Sequence, residues 1–168
     1  MLTSRLNTKN TLILGGGTVD ALEIKNRSEF DPPPRTPEVL TLDKNPSAKP
    51  DVMADLRKGF PEELKSNKFD VITIERCISL AFTSETFKDI STSLHTKGLL
   101  IAYFSGSAFN NFEQIHELKK QGFKTILPIS GIGIDNFPLR QFLAFKADLN
   151  EASDVLDQIN LLSIPMLL

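Results

Sequence analysis

"TLILGGGTVDAL", Thr11 to Leu22, sets an apolar run directly against three consecutive glycines, Gly15, Gly16 and Gly17. Glycine inside regular structure costs about 0.5–1 kcal/mol relative to alanine through lost backbone entropy. Three in a row at one point therefore mark a backbone that turns sharply, or one that something must approach closely. "TLILG" is short, apolar and closed by glycine, as a buried strand is. "TVDALEIKNR" follows with helical composition. The free N–H groups at the start of such a helix favour a carboxylate or a phosphate.

Outward from this unit the chain alternates strand and helix signals without internal repeats. "FDPPPRTP" breaks regular structure, because proline removes a donor and restrains its neighbour, and reads as an exposed connector. "EVLTLD" and "PDVMADL" are strand signals with no clear helix between them. "FPEELKSN" suits a short helix with proline at its first position. "FDVITIE" is β-branched and almost continuously apolar, as a parallel strand buried on both faces is. "TSETFKDISTSLHTKG" reads as a helix capped by Thr83 or Ser84, ended by Gly98, with Phe87, Ile90 and Leu94 on one face. "LLIAYF" is another buried strand. "NNFEQIHELKKQG" is a helix with Phe112, Ile115 and Leu118 inward and Gly122 past its end. "FKTILPI" and "LRQFLAFKA", joined by "SGIGIDNFP", read as a closing hairpin. "NEASDVLDQINLL" carries a last helical stripe of Val155, Ile159 and Leu162.

This alternation predicts an α/β/α three-layer sandwich around a mostly parallel sheet of seven strands with an antiparallel C-terminal hairpin. The 168 residues suit one domain, with its core over about 11–147 and a helix and tail over 148–168. Ligands of such sheets sit beyond the carboxyl ends of the strands. The positions to question are therefore Gly15–Gly17, Asp43, Asp55, Glu75–Cys77 and Ser105–Gly106.

Composition narrows the function. Charged residues make up 24% and the formal net charge is −2, without a dense Lys/Arg run. That balance disfavours nucleic acid and an anionic membrane as partners. Cys77 is the single cysteine, so no intramolecular disulfide forms, and a reducing, cytoplasmic setting is expected. The two histidines lie far apart, which leaves no Cys/His zinc pattern and no expected metal. "MLTSRLNTKN" has no signal-peptide core, and no apolar run reaches the ~20 residues a membrane span needs.

"LILGGGT", "LTLDKNP", "PDVMADL", "FDVITIERCISL" and "KGLLIAYF" resemble, in order, the motifs of class I S-adenosylmethionine-dependent methyltransferases, over roughly Thr11 to Ala147. The closing hairpin is similar to that family's as well, and the fold implied is the Rossmann-like methyltransferase type. The resemblance implies S-adenosylmethionine as cofactor. Gly15, Gly16 and Gly17 would pass beside its methionine part, and Asp43 would hold the ribose hydroxyls. Lys44 would cover one adenine face through its stem. Asp55 would meet the adenine amine and Leu56 the ring region. Glu75 would lie near the amino group or sulfonium, and Glu75 and Tyr103 are the candidate bases. The family's acidic residue two positions before the first glycine is Ile13 here, and a further glycine position is Val19. Few residues precede the first strand, which implies an open cleft. The methyl acceptor expected is a small molecule or a protein.

Each of these residues also has a local reading. Asp43 can start the turn "DKNP", and Asp55 can cap a helix before "LRKGF". Glu75 and Arg76 can form an exposed pair, and Cys77 is the kind of small residue that cores bury. His95 and His116 lie in polar helical stretches and read as solvent-facing. The tail "IPMLL" either docks on the sheet or makes a contact with a second copy or a partner chain. Two rival functions stand beside methyl transfer: a non-catalytic fold of this type that binds another protein, and a nicotinamide-dependent oxidoreductase. The latter's G-x-G-x-x-G pattern would need glycine where Asp20 stands.

Overall fold

The apolar run before the glycines forms strand β1, Thr11–Leu14. The computed structural model describes residues 11–15, 39–78, 82–105, 111–132, 138–148 and 150–151. After β1 come β2 (Val39–Asp43), β3 (Val52–Met53), helix α1 (Glu62–Lys65), β4 (Phe69–Ile78), α2 (Ser84–Ser93) and β5 (Leu94–Ser105). Helix α3 (Asn111–Lys120) and strands β6 (Thr125–Ile132) and β7 (Pro138–Phe145) complete the order. The seven strands make one sheet in the order β3-β2-β1-β4-β5-β7-β6. The first five run parallel, and β7 is antiparallel to both β5 and β6. The mostly parallel seven-stranded sheet with its closing hairpin is therefore present. The helical stretches expected within 18–27 and 152–162, the connector 30–37 and the tail 164–168 lie outside the described residues.

Continuous apolar runs become central strands because both faces are covered. Leu12, Leu14, Ile72, Ile74, Leu100 and Ala102 are buried in one large cluster with Phe87 and Ile90 of α2 and Leu118 of α3. Leu99, Ile101 and Phe145 form a second cluster of the same sheet, as alternating side chains of a strand do. Thr83 is the N-cap of α2. Its hydroxyl accepts from the amide of Thr86, while the Thr86 hydroxyl accepts from the amide of Thr83. Gly122 follows α3 with φ 91°, the positive φ that glycine takes at little cost.

The end of α2 departs from the sequence reading. The helix stops at Ser93, and Leu94 already pairs with Phe69 as the first residue of β5. The carbonyls of the last turn are taken by cations: Lys146 Nζ donates to Ser91 O and to Leu94 O (3.0 Å), and Lys68 Nζ donates to Thr92 O. These contacts satisfy carbonyls that the end of the helix leaves without an intrahelical partner. Pairing resumes at Val71 with Leu99, so residues 95–98 stand opposite the single Asp70 and give β5 three extra residues, a bulge. Gly98 thus lies within β5 instead of ending the helix. A Cβ there would stand 2.7 Å from Leu94 Cγ. His95 and His116 are both exposed.

Candidate functional site

Register places the residues of interest on one rank. Leu14 is level with Leu42 of β2 and with Ile74 of β4. One step further along these three neighbouring strands stand Gly15, Asp43 and Glu75. Strand order reverses at this place, since β1 lies between β2 and β4, and the carboxyl edge beside such a reversal is where open α/β sheets bind ligands. The edge is stepped as well. β1 stops at Leu14, whereas β4 runs on to Ile78 and β5 to Ser105. Gly15 is the low point between the longer β4 and the Asp43 end of β2. It has φ 73° and donates its N–H to Leu42 O at 2.8 Å. A side chain at that φ is strained, so the chain leaves β1 with bare backbone. Gly16 and Gly17 lie outside the described residues.

Asp43 ends β2, half-buried, and its Oδ1 accepts the amide of Asn45 at 2.8 Å. The local turn role is thus real. Among the described residues it uses one acceptor position of a carboxylate that has about four, which leaves capacity for a pair of hydroxyls. Lys44 beside it is exposed. Met53, paired with Asp43 on the edge strand β3, is 67% exposed. Asp51 steadies this edge from below, taking both the amide and the hydroxyl of Thr41.

Two residues past β3, Asp55 caps the 3-10 turn Leu56–Lys58, accepting the Arg57 amide at 3.1 Å. Its carboxylate also holds the Arg57 guanidinium, with Nε 3.0 Å from both oxygens and Nη2 2.5 Å from Oδ2. The Arg57 side-chain bonds, helped by its backbone bond, lower the Asp55 pKa from 3.8 to about 2. Asp55 is therefore an anion at neutral pH. The Leu56 side chain is buried in the core and braces the turn from within, so the turn presents backbone there and not an apolar face.

On the other side of Gly15, β4 carries one extra residue between Ile74 and Cys77 relative to Ala102 and Phe104 of β5. Glu75 and Arg76 fall in this bulge, a device that redirects a strand beside a site. Tyr103 is paired with Gln141 of β7 just past the same step. Ile13 is 3% exposed between Thr41 and Thr73, so an apolar side chain fills the position of the family's acidic residue. Among the described residues no group of three His, Cys, Asp or Glu could hold a metal ion, and no helix is long and apolar enough to cross a membrane.

No family model matches the chain, and no curated protein matches it in sequence. Solved structures match it in shape. A TehB-like SAM-dependent methyltransferase from Corynebacterium glutamicum superposes with a TM-score of 0.53 at 15% identity, over 87% of this chain and 88% of that one. The antibiotic-resistance methyltransferase Kmr gives 0.53 at 14% identity, over 86% and 90%. The chain has the class I methyltransferase fold. Spermidine synthase in complex with the transition-state analogue AdoDATO has the same fold, at 0.51 and 19% identity. There the match covers 89% of this chain but 58% of the synthase. At these identities the likeness speaks for the methyltransferase fold, and the chemistry rests on the residues at its carboxyl edge.

Sequence reasoning pointed to Gly15, Asp43, Asp55 and Glu75 as candidates, and the sheet brings the first two and Glu75 to one rank with Asp55 beside them. It missed the Arg57 partner of Asp55 and the two α2 residues that hold the Asp55 turn, Thr86 and Asp89.

Proposed function

We propose that the chain is an S-adenosylmethionine-dependent methyltransferase acting on a small molecule or a protein. The observation that carries the reading is the stepped edge, with bare backbone at Gly15 and carboxylates at Asp43 and Asp55 along one side of it. An adenosyl group is polar at its ribose and at its exocyclic amine, and both ends call for acceptors. Asp43 keeps acceptor positions for two ribose hydroxyls. Asp55, ionised, would accept from the amine. The stem of Lys44 would cover the base, and Gly15, Gly16 and Gly17 would lie beside the methionine part. The bound cofactor supplies an electrophilic methyl on a sulfonium. The protein's work is then alignment of the acceptor and exclusion of water, which lowers the barrier without covalent participation. Glu75 and Tyr103 would be the candidate bases where the acceptor is a weak acid.

Calorimetry with S-adenosylhomocysteine tests this. Binding to the wild type and a loss of about tenfold or more in Asp43→Ala are expected, the scale of a hydrogen bond to a charged group. Unchanged affinity in the variant would refute the ribose assignment. The apolar burial of Ile13 favours a second reading, a non-catalytic fold of this type that binds another protein. The absence of any binding of S-adenosylhomocysteine at millimolar concentration would select it.

A further inference from the structure

We infer that Thr86 and Asp89 of α2 are positioning residues for the nucleobase, holding the 55–60 turn so that Asp55 faces an amine on the base. This deepens the adenosyl reading and rests on it. The turn itself is slight. Its own backbone-to-backbone bonds are Lys58 N to Asp55 O at 2.9 Å and Gly59 N to Leu56 O at 3.0 Å, a single 3-10 turn that is weak in isolation. Helix α2 grips it at two points. The buried Thr86 hydroxyl donates to Leu56 O at 2.5 Å. Buried Asp89 accepts the Phe60 amide on its Oδ2 at 2.7 Å.

The Thr86 hydroxyl has a single proton, and Leu56 takes it. It must therefore accept from Thr83, whose Oγ1 is 3.0 Å away and whose amide is 3.3 Å away. The cap of the helix and the grip on the turn thus form one chain of bonds, Thr83 to Thr86 to Leu56, in which each bond polarises the next. Between the two grips lies Gly59, with φ 79° and ψ −170°. A Cβ on it would stand 2.6 Å from Asp89 Oδ2. The missing side chain lets the carboxylate reach the backbone. A surface turn that only reversed the chain would not need two buried polar side chains drawn from a helix 29 and 30 residues further on, because burying such groups is costly unless every bond is made.

The test compares S-adenosylhomocysteine with S-inosylhomocysteine, which has a carbonyl oxygen in place of the amine, by calorimetry on the wild type, Thr86→Val and Thr86→Ser. The wild type is expected to prefer the adenosyl ligand by about tenfold or more. Thr86→Val should cut that preference at least about threefold while affinity for the inosyl ligand holds within about twofold, and Thr86→Ser should restore it. A variant that merely loosened the fold would weaken both ligands alike and leave the ratio intact. A folded Thr86→Val protein with the wild-type ratio overturns the inference. So does a wild type that binds both ligands equally, although the adenosyl reading survives that result. A wild type that binds neither removes the adenosyl reading and the inference with it. Should Thr86→Val not fold, Asp89→Ala, which removes the acceptor of the Phe60 amide, is expected to lower the ratio in the same direction, and an unchanged ratio there overturns the inference too.

Discussion

The two ends of α2 are anchored by opposite chemistry. From its first six residues, a hydroxyl and a carboxylate, both buried, reach out from the helix to the backbone of the Asp55 turn. At its end, the ammonium groups of Lys68 and Lys146 reach in to the carbonyls of Ser91, Thr92 and Leu94. The second arrangement is what any helix end wants, since cations there meet free carbonyls and the negative end of the dipole. Burial, with Lys68 nearby, pushes the Lys146 ammonium below its usual range. The first arrangement does more than terminate a helix. It spends side-chain polarity on a turn beside the candidate site. The difference teaches that one helix can serve the fold at one edge of the sheet and the site at the other.

Gly59→Ala should break that comparison most visibly. The φ and ψ at Gly59 belong to a region that is essentially glycine's alone, and the new Cβ meets Asp89. A loss of about 2 kcal/mol or more in urea unfolding is expected, together with weaker S-adenosylhomocysteine binding. Lys146→Ala strikes the other end. It leaves two carbonyls without their donor and should cost about 1 kcal/mol, with the adenosyl affinity unchanged. A fall in affinity there would mean that the two ends are not separable.

The smallest effect concerns Arg57. Asp55 has its folded pKa near 2, below the ordinary 3.8. A depressed carboxylate stabilises the fold above its unfolded value and loses that contribution as pH falls through the folded one. The gap in Tm between wild type and Arg57→Gln should therefore be constant above about pH 4 and close between there and pH 2. A gap that ignores pH would exclude the ion pair as its source.

Much of this was legible in the residues. β1, β4 and β5 are uninterrupted apolar runs, and such runs have few places to go but the middle of a parallel sheet. Asp43 and Asp55 were identifiable because each follows a strand, and the local roles available to them coexist with acceptor capacity at Asp43 and full ionisation at Asp55. The end of α2 was not legible, because the groups that take its last carbonyls include Lys146, about fifty residues away along the chain. The grip on the Asp55 turn was hidden for the same reason. One clue was present. Asp89 sits between Phe87 and Ile90 on a buried stretch, where aspartate is a poor helix former and a costly core residue.

Leu94 closes α2 and opens β5 with nothing in between. A push on the helix cannot be soaked up by slack there. It passes straight to the Phe69–Leu94 pairing, and the first place able to yield is the puckered run at 95–98. Helix and central strand are thus geared together, and a residue inserted between Ser93 and Leu94 would be felt at both rims of the sheet.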